Sequence, residues 1–273
     1  MSYIDVMDQD TGFMPSTAGQ TLGTELAARY QAASPFPHIV IDDFLPPALL
    51  EKVVSRFDAV SRGDDDMTFN RPQERFKTSY QPDSLDDELR RLFYSFNSRP
   101  FIKIMQNITG IKGLIPDPYF LGAGIHEIKQ GGHLSIHADF NHHAPMNLER
   151  RINVLIYLNK NWQQEYGGAL ELWDEQMTRR EHVIVPEFNR CVIFNTTSNS
   201  QHGNPQPIAH PKGLSRKSIA LYYYTSTWDK SRRAHDTQFQ VRPQSGDRYD
   251  WRVKLRGIKD DILPPVIARR VRF

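Results

Sequence analysis

The sequence has only one cysteine among its 273 residues and contains no long hydrophobic run. The single thiol, Cys191, cannot form an internal disulfide, which excludes a disulfide-stabilised secreted scaffold. No apolar run approaches the roughly 20 residues that a membrane-spanning helix needs. The first residues also lack the charged and apolar regions of a secretion signal. We therefore expect a cytoplasmic protein in which Cys191 is a buried structural thiol.

The sequence also lacks a charge excess of either sign. Its 34 Lys and Arg residues against 32 Asp and Glu residues give a net charge of +2. This balance predicts no attraction of the whole protein to nucleic acid or to a membrane surface. Hydrophobic residues form 39% of the chain and charged residues 24%, which is typical of globular proteins that bury a core.

Composition divides the chain into three regions. Residues 1–35 are polar and weakly patterned, which favours a mobile N-terminal arm over the alternative of a segment that becomes ordered only over a ligand. Residues 36–228 carry regular apolar patterns and predict one domain. Residues 229–273 form a C-terminal extension. From residue 251 onward it is basic, with seven Lys or Arg and only two Asp. We expect this basic extension to close the fold, or alternatively to cover the pocket as an anion-binding lid.

The first part of the domain predicts one strand and three helices. Residues 39–41 are β-branched, and the residues up to Phe57 then place apolar side chains at helical spacing. Residues 60–82 are polar and predict a loop. Residues 84–96 and 100–111 repeat apolar positions every three to four residues, with Ser84 as the expected N-cap of the first helix.

After Pro116 the apolar period changes from helical spacing toward two, which is typical of strands. Seven short runs of this kind are separated by clusters of Gly, Pro, Asn and Asp. They cover residues 122–128, 133–139, 152–158, 169–173, 182–186, 190–195 and 218–225. Many short strands without intervening helices favour an antiparallel sandwich or jelly roll over a parallel sheet, with the earlier helices packed outside it. The predicted fold class is therefore α+β with a mainly β core.

Two histidines and one aspartate indicate a metal site. On a strand, residues two apart point to the same side, so His137 and Asp139 present an imidazole and a carboxylate to one space. His202 follows the apolar run 190–195, where a sheet could bring it alongside them. Two histidines and one carboxylate leave coordination positions open, which suits non-haem Fe(II) and O₂ chemistry.

A buried arginine indicates an anionic co-substrate. Arg216 begins a predicted strand and shares one side of it with Ser218, Ala220 and Tyr222. An arginine that points into a barrel needs an anion, and its planar donors pair bidentately with a carboxylate. Ser218 can add a hydroxyl donor. This arrangement fits a dicarboxylate co-substrate.

The ordered set of motifs resembles the Fe(II)/2-oxoglutarate-dependent dioxygenases, in particular the prolyl-4-hydroxylase-like branch. The resemblance covers roughly residues 35–228. The matching text is H-A-D (137–139), R-R-I-N-V-L-I-Y-L-N with a following Trp (150–162), G-G-A-L-E-L-W (167–173), P-E-F-N-R-C-V-I-F (186–194), H-G (202–203) and R-K-S (216–218). The resemblance implies a double-stranded β-helix, which is the jelly roll of this family.

The resemblance also implies a cofactor set and residue roles. His137, Asp139 and His202 would bind Fe(II), and Arg216 would hold the distal carboxylate of 2-oxoglutarate. Tyr157 would add a hydrogen bond to that carboxylate. O₂ would be the second co-substrate, with ascorbate as an accessory reductant. The implied reaction hydroxylates an unactivated C–H bond and releases succinate and CO₂.

The sequence leaves the organic substrate open between a small molecule and a prolyl-type substrate. A small molecule is favoured over a protein because no separate peptide-binding domain is evident. Substrate contacts are expected from residues 1–35, 60–82 and 229–273, the variable segments around the domain.

Four further histidines have no assigned role. We expect His126 and His133 to be partly buried and hydrogen-bonded, and His142 and His143 to lie in a solvated loop. Two other functions remain alternatives at this point. One is a non-catalytic, cupin-like jelly roll that binds a sugar or small anion, and the other is a Zn²⁺ hydrolase that uses the same three ligands.

Overall fold

The computed structural model describes residues 1–57, 66–228, 234–242 and 247. The helices of this part of the chain are α1 (Ala27–Gln31), α2 (Pro47–Arg56), α3 (Asp87–Phe96) and α4 (Arg99–Thr109). Short 3₁₀ turns cover Thr24–Leu26, Pro82–Ser84 and Gln164–Tyr166. The three helices expected from apolar spacing are α2, α3 and α4.

Thirteen strands are formed by the described residues, and all belong to one sheet. They are β1 (His38–Ile41), β2 (Met67–Arg71), β3 (Glu74–Tyr80), β4 (Ile115–Pro116), β5 (Gly124–Ala138), β6 (His142–His143), β7 (Leu148–Tyr157), β8 (Leu170–Trp173), β9 (Arg180–Ile184), β10 (Cys191–Asn195), β11 (His202–Asn204), β12 (Arg216–Thr225) and β13 (Gln238–Phe239). Each of the seven runs with period two contributes to one of these strands, and the first two runs join into β5.

The sheet is antiparallel and curls around strand β5. Its main path runs β1-β10-β7-β12-β5-β11-β8-β9. The first half of β5 pairs with β12, where Ile128 lies opposite Arg216. The second half pairs with β11, where His137 lies opposite His202. One long strand therefore carries both the predicted metal end and the predicted co-substrate end of the site.

Alternation along β7 separates the two sides of the sheet. Ile152, Val154 and Ile156 are fully buried in the larger core, which the helices share. Asn153 and Leu155 point to the other side and line a cavity inside the curl. The cavity wall is thus fixed by period two, because neighbouring residues on a strand must face opposite sides. Cys191 is fully buried in the larger core, as expected.

Residues 1–35, which we expected to form a mobile arm, instead pack against the helices. Ile4, Met7, Met14 and Tyr30 are buried in the same core as α2, α3 and α4. Gly23 has a φ of +99°, and a Cβ there would lie 2.8 Å from Ile108 in α4. The apolar residues are too widely spaced to show a period, so the sequence pattern does not reveal that they reach a common core.

Residues 67–80 form the hairpin β2–β3 instead of the expected loop. β3 pairs with residues 125–128 of β5 along one edge of that strand. β12 pairs with the same residues along the other edge. The residues of β3 that face inward include Glu74, Lys77 and Ser79, which line the polar cavity. A strand that faces a charged cavity lacks apolar alternation, and this explains why the sequence pattern indicated a loop.

The N-cap of α3 is Asp86, not Ser84. The Asp86 carboxylate accepts hydrogen bonds from the backbone N–H groups of Glu88 and Leu89, each at 3.0 Å. Ser84 ends the preceding 3₁₀ turn. Asp86, two residues later, is the N-cap because its side chain reaches the unpaired N–H groups of the first helical turn.

Part of the C-terminal extension returns to the sheet. β13 pairs with β5, with Phe239 opposite His137. The basic stretch 251–273 lies outside the described residues, so its expected role as a closing element or lid stays a prediction. Among the described helices none combines the length and the apolar character needed to cross a bilayer.

Candidate active site

The structure brings the three predicted metal ligands together. His137 lies near the end of β5, Asp139 follows that strand, and His202 begins β11. One ligand atom from each residue lies within 4.8 Å of the other two. The side chains are only 6%, 11% and 7% exposed, respectively. Strand pairing creates this cluster, because His137 and His202 are register partners.

Backbone carbonyls orient both imidazoles. Nδ1 of His137 donates a hydrogen bond to the carbonyl oxygen of Ser135, and Nδ1 of His202 donates one to Ser200, both at 2.9 Å. Each Nε2 then faces Asp139, at 3.6 Å from His137 and 3.3 Å from His202. A carbonyl that accepts from Nδ1 leaves Nε2 with its lone pair, which is the form that binds a metal. Burial, together with the charge of His202, lowers the pKa of His137.

Asp139 is held by two side chains from β7 that the sequence analysis did not assign to the site. The Asn153 amide donates to Asp139 Oδ2 at 2.7 Å, and Arg150 Nη2 lies 3.2 Å from the same oxygen. Burial alone would raise the pKa of Asp139. The positive charge of Arg150 and the adjacent imidazoles outweigh burial and hold this pKa well below its usual range. The carboxylate therefore stays ionised, as a metal ligand must.

Arg150 is fixed in place by aromatic rings. Its guanidinium carbon lies 3.6 Å from the centroid of the Tyr222 ring and 4.3 Å from that of Phe140. The same guanidinium donates to the side-chain oxygen of Asn153 through Nε and Nη2, at 3.1 and 2.6 Å. Arg150 is only 1% exposed. A signal was present in the sequence, since Arg150 and Asn153 both belong to the motif 150–162, but spacing alone did not connect them to Asp139.

Arg216 extends into the other end of the cavity. Its Nε donates to the carbonyl oxygen of Gly168 at 2.8 Å, and the residue is only 4% exposed. In the described part of the chain it forms no ion pair with a carboxylate, and burial lowers its pKa. Gly168 has a φ of +71°, and a Cβ there would lie 2.8 Å from the Arg216 side chain. A buried, uncompensated guanidinium fits an anionic ligand.

Tyr157 and Ser218 lie beside Arg216. The Arg216 guanidinium carbon is 4.9 Å from the centroid of the Tyr157 ring. The Tyr157 hydroxyl is buried and has no hydrogen-bond partner among the described residues, and burial raises its pKa. Ser218 is the register partner of Tyr157 and lines the cavity. The roles of both residues toward 2-oxoglutarate stay predictions.

Two of the remaining histidines behave as expected. His126 is 8% exposed, lines the cavity, and its Nε2 donates to the carbonyl oxygen of Gly122 at 2.9 Å. Burial holds its pKa well below the usual value, so the ring is neutral. His133 is half-buried, and its Nε2 donates to the carbonyl oxygen of Pro72 at 3.2 Å.

The expectation of a solvated loop is wrong for His143. This residue is fully buried, and its Nε2 lies 3.2 Å from Asp117 Oδ1. It pairs with β7 through β6, a contact that its neighbours in sequence do not indicate. His142 is half-buried and hydrogen-bonded to Asn147 at 3.0 Å. Neither residue lines the cavity.

The cavity also has walls from two segments expected to contact substrate. The hairpin β2–β3 contributes six side chains, which are Met67, Phe69, Arg71, Glu74, Lys77 and Ser79. Thr237 and Phe239 come from the C-terminal segment. Residues 1–35 contribute none of the lining, and their buried apolar side chains belong to the larger core. The cavity thus joins the metal end, the Arg216 end and a charged hairpin.

The residues present fit Fe(II) and 2-oxoglutarate. Two imidazoles and one carboxylate form a donor set typical of non-haem Fe(II). The unpaired guanidinium of Arg216 lines the same cavity, where one carboxylate could neutralise it.

Comparison with known proteins agrees with this geometry. Residues 123–224 match the family model described as the 2OG-Fe(II) oxygenase superfamily. This match agrees with the resemblance indicated by the motifs and lies within the part of the chain that carries them. A segment of 79 residues is 30% identical to prolyl 3-hydroxylase OGFOD1 of Mus musculus and covers 28% of this chain. The match spans only 14% of the length of that relative.

Several solved structures share the fold of this chain. A prolyl hydroxylase from Trichoplax adhaerens, in complex with a hypoxia inducible factor peptide fragment, is 16% identical, with a TM-score of 0.52 over 74% of this chain and 88% of that chain. Prolyl 4-hydroxylase from Phytophthora capsici is 15% identical, with a TM-score of 0.53 over 81% and 66%. The carbocyclase SnoK from nogalamycin biosynthesis, a non-heme alpha ketoglutarate dependent enzyme, is 12% identical, with a TM-score of 0.52 over 84% and 90%. These similarities confirm the double-stranded β-helix fold.

Proposed function

We propose that this chain, whose residues 123–224 match the 2OG-Fe(II) oxygenase superfamily, is an Fe(II)- and 2-oxoglutarate-dependent dioxygenase. It hydroxylates an unactivated C–H bond of a small molecule or prolyl-type substrate and releases succinate and CO₂. The observation that carries the proposal is the buried cluster of His137, Asp139 and His202, in one cavity with the uncompensated Arg216.

Each residue has a distinct part in the proposed reaction. His137, Asp139 and His202 would hold Fe(II), which together with 2-oxoglutarate and O₂ supplies the oxidising power for hydroxylation. Arg216 binds and orients the distal carboxylate of the co-substrate. Retention of a carboxylate at Asp139 leaves no ligand position for chloride on that side, and this favours hydroxylation over halogenation.

Two features of the chain protect and orient the site. Asn153 and Arg150 hold the Asp139 carboxylate in one orientation through the hydrogen bond and ion pair on Oδ2. Apolar side chains, including Ile128, Leu155 and Leu170, line the same cavity and would reduce the access of water to the co-substrate. A dry, preorganised site limits side reactions of a strong oxidant.

We favour a small-molecule substrate over a protein. The hairpin β2–β3 and Phe239 contribute side chains to the cavity wall, which limits the space for a large substrate. The similar structures do not decide the point, since they include both a complex with a peptide and a biosynthetic carbocyclase.

An anaerobic titration of the metal-free protein with Fe(II) and 2-oxoglutarate tests the function. We expect a visible charge-transfer band in the wild-type protein and none in His137→Ala. In Arg216→Ala the band should require at least about 30-fold more 2-oxoglutarate, because loss of one partner of a buried charge pair costs about 2 kcal/mol or more. Succinate release would then be used to screen substrates.

His133→Ala is the matched control, since His133 lies on the same strand but outside the cavity lining. It should give the wild-type band. Absence of the band in folded, metal-loaded wild-type protein would contradict the proposed function and favour a jelly roll that binds a small anion or sugar without catalysis.

A further inference from the structure

The charged side chains that line the cavity do not balance. Four are basic, namely Arg71, Lys77, Arg150 and Arg216, and two are acidic, namely Glu74 and Asp139. The charges of Fe(II) and of 2-oxoglutarate cancel each other. A positive excess therefore remains in the described lining after both have bound. Such an excess favours the binding of an anion in the cavity.

One of the two excess charges belongs to Arg216, beside the co-substrate, and the other lies at the hairpin. Asp139 is paired with Arg150, and Arg216 is assigned to the co-substrate. One carboxylate, Glu74, is then left for two cations, with its oxygens 2.8 Å from Arg71 Nη2 and 2.8 Å from Lys77 Nζ. Glu74 is only 4% exposed, and it cannot neutralise both charges.

Unpaired donors accompany this charge. Arg71 Nε and Asn204 Nδ2 are buried atoms without a hydrogen-bond partner in the described chain, and both residues line the cavity. The Ser79 hydroxyl, also in the lining, is likewise unpartnered. Two of these groups can only donate, and the hydroxyl can also donate. These atoms have almost no surface open to the cavity, so a ligand at Arg71 would bind through the exposed part of that side chain, which is 38% exposed.

Two aromatic rings also lie near the Arg71 guanidinium. Its guanidinium carbon lies 5.7 Å from the centroid of the Phe69 ring and 5.4 Å from that of Phe239. The Phe239 ring in turn lies 5.3 Å from the ring of His137. Arg71 is thus one aromatic ring away from the metal ligands. A ligand held there would keep an apolar body against the rings and its reacting carbon toward His137.

We propose that the organic substrate is a small acid whose carboxylate binds Arg71, with its apolar body against the Phe69 and Phe239 rings. This inference rests on the proposed function, because it concerns the substrate of the same site. It assigns substrate specificity to the hairpin β2–β3. Glu74 partly neutralises Arg71, and Lys77 competes with Arg71 for the Glu74 carboxylate.

The test uses the full chain loaded with Zn(II) and saturating 2-oxoglutarate, in which no turnover occurs. The probes are 4-fluorobenzoate and 4-fluorobenzamide, which differ in charge but hardly in shape, and binding is followed by ¹⁹F NMR. We expect the benzoate to bind at least about tenfold more tightly than the benzamide, since one hydrogen-bonded charge distinguishes them. Its affinity should not fall as 2-oxoglutarate is raised further.

Three variants locate the effect. Arg71→Gln should abolish the preference for the benzoate. Glu74→Gln should strengthen benzoate binding, because it removes the anion that competes for Arg71. Arg75→Gln, an exposed residue on the same hairpin outside the lining, should leave both affinities unchanged. Thermal melts verify that each variant is folded.

Several results would overturn the proposal. They are equal binding of the two probes, binding of neither, or an equal loss in Arg71→Gln and Arg75→Gln. A loss of 2-oxoglutarate affinity in Arg71→Gln would assign this charge to the co-substrate and would also overturn it. The charge-transfer band of the Fe(II) and 2-oxoglutarate complex distinguishes failure of the proposed function from failure of the proposed substrate site. If the band forms but the benzoate is not preferred, the function stands and the acid subsite fails.

Discussion

At the scale of single residues, the metal site depends on side chains that never need to touch the metal. Asp139 has two oxygens, and Asn153 and Arg150 share the Oδ2 atom. Asn153 is also the acceptor for the Arg150 guanidinium. One amide thus orients both the ligand and its counter-charge. Supporting residues of this kind commonly change metal affinity by one to two orders of magnitude.

We predict that Asn153→Ala weakens Fe(II) binding about 10- to 100-fold, because Asp139 loses the donor that fixes its orientation. Anaerobic metal titration, followed by the charge-transfer band, measures the effect. Asn147→Ala is the control, since Asn147 contacts His142 outside the cavity. An unchanged Fe(II) affinity in folded Asn153→Ala would show that Arg150 suffices to hold Asp139.

At the scale of elements, strand β5 carries residues from both ends of the site. The N-cap determines the residue at which helix α3 begins. The strand pairs with β12 at one end and β11 at the other, so the distance between the Arg216 and metal ends is fixed by its length. Apolar periodicity located β5, β7 and β12 because each has an apolar side. It missed β2 and β3, whose inward residues face a charged cavity.

Asp86→Ala should destabilise the protein by about 1 kcal/mol, since two N–H groups of the first turn of α3 lose their acceptor. The substitution also removes the ion pair between Asp86 and Arg56, but this pair is exposed and contributes little to the free energy of unfolding. Urea unfolding measures the change. Ser84→Ala, at the N-cap position that the sequence suggested, should alter stability by less than about 0.5 kcal/mol. Equal effects of the two substitutions would contradict the assigned cap.

At the scale of the whole molecule, the N-terminal residues belong to the core of the domain. Ile4 and Met7 are 0% and 2% exposed and share one core with the helices and the outer side of the sheet. Backbone hydrogen bonds from Tyr3 and Ile4 to Asp43 and Phe44 fix this segment, at 2.7 and 2.9 Å. The segment therefore supports the fold and lies away from the cavity.

Ile4→Ala should lower the free energy of unfolding by about 2–4 kcal/mol, because it leaves a cavity in a closely packed core. Val6→Ala provides the control, since Val6 is 42% exposed and should change stability by less than about 0.5 kcal/mol. Denaturant unfolding distinguishes the two. If Ile4→Ala were as stable as Val6→Ala, the N-terminal residues would behave as the mobile arm that their composition suggests.

The sequence by itself determined the features that depend on local spacing and on chemistry. Period two places His137 beside Asp139 on any strand, and a buried arginine such as Arg216 demands an anion in any fold. The ordered motifs 137–218 added the resemblance to the oxygenase family. The mainly β core and the candidate metal site could be predicted for these reasons.

Only the tertiary structure decided which distant residues complete the site. Asn153 and Arg150 reach Asp139 because β7 lies across the curl from the end of β5, and Phe239 reaches His137 because β13 pairs with β5. No local pattern encodes such contacts, since strand register depends on the packing of the whole sheet. The charged hairpin wall was also decided at this level, because its polar residues are buried only when the cavity has formed.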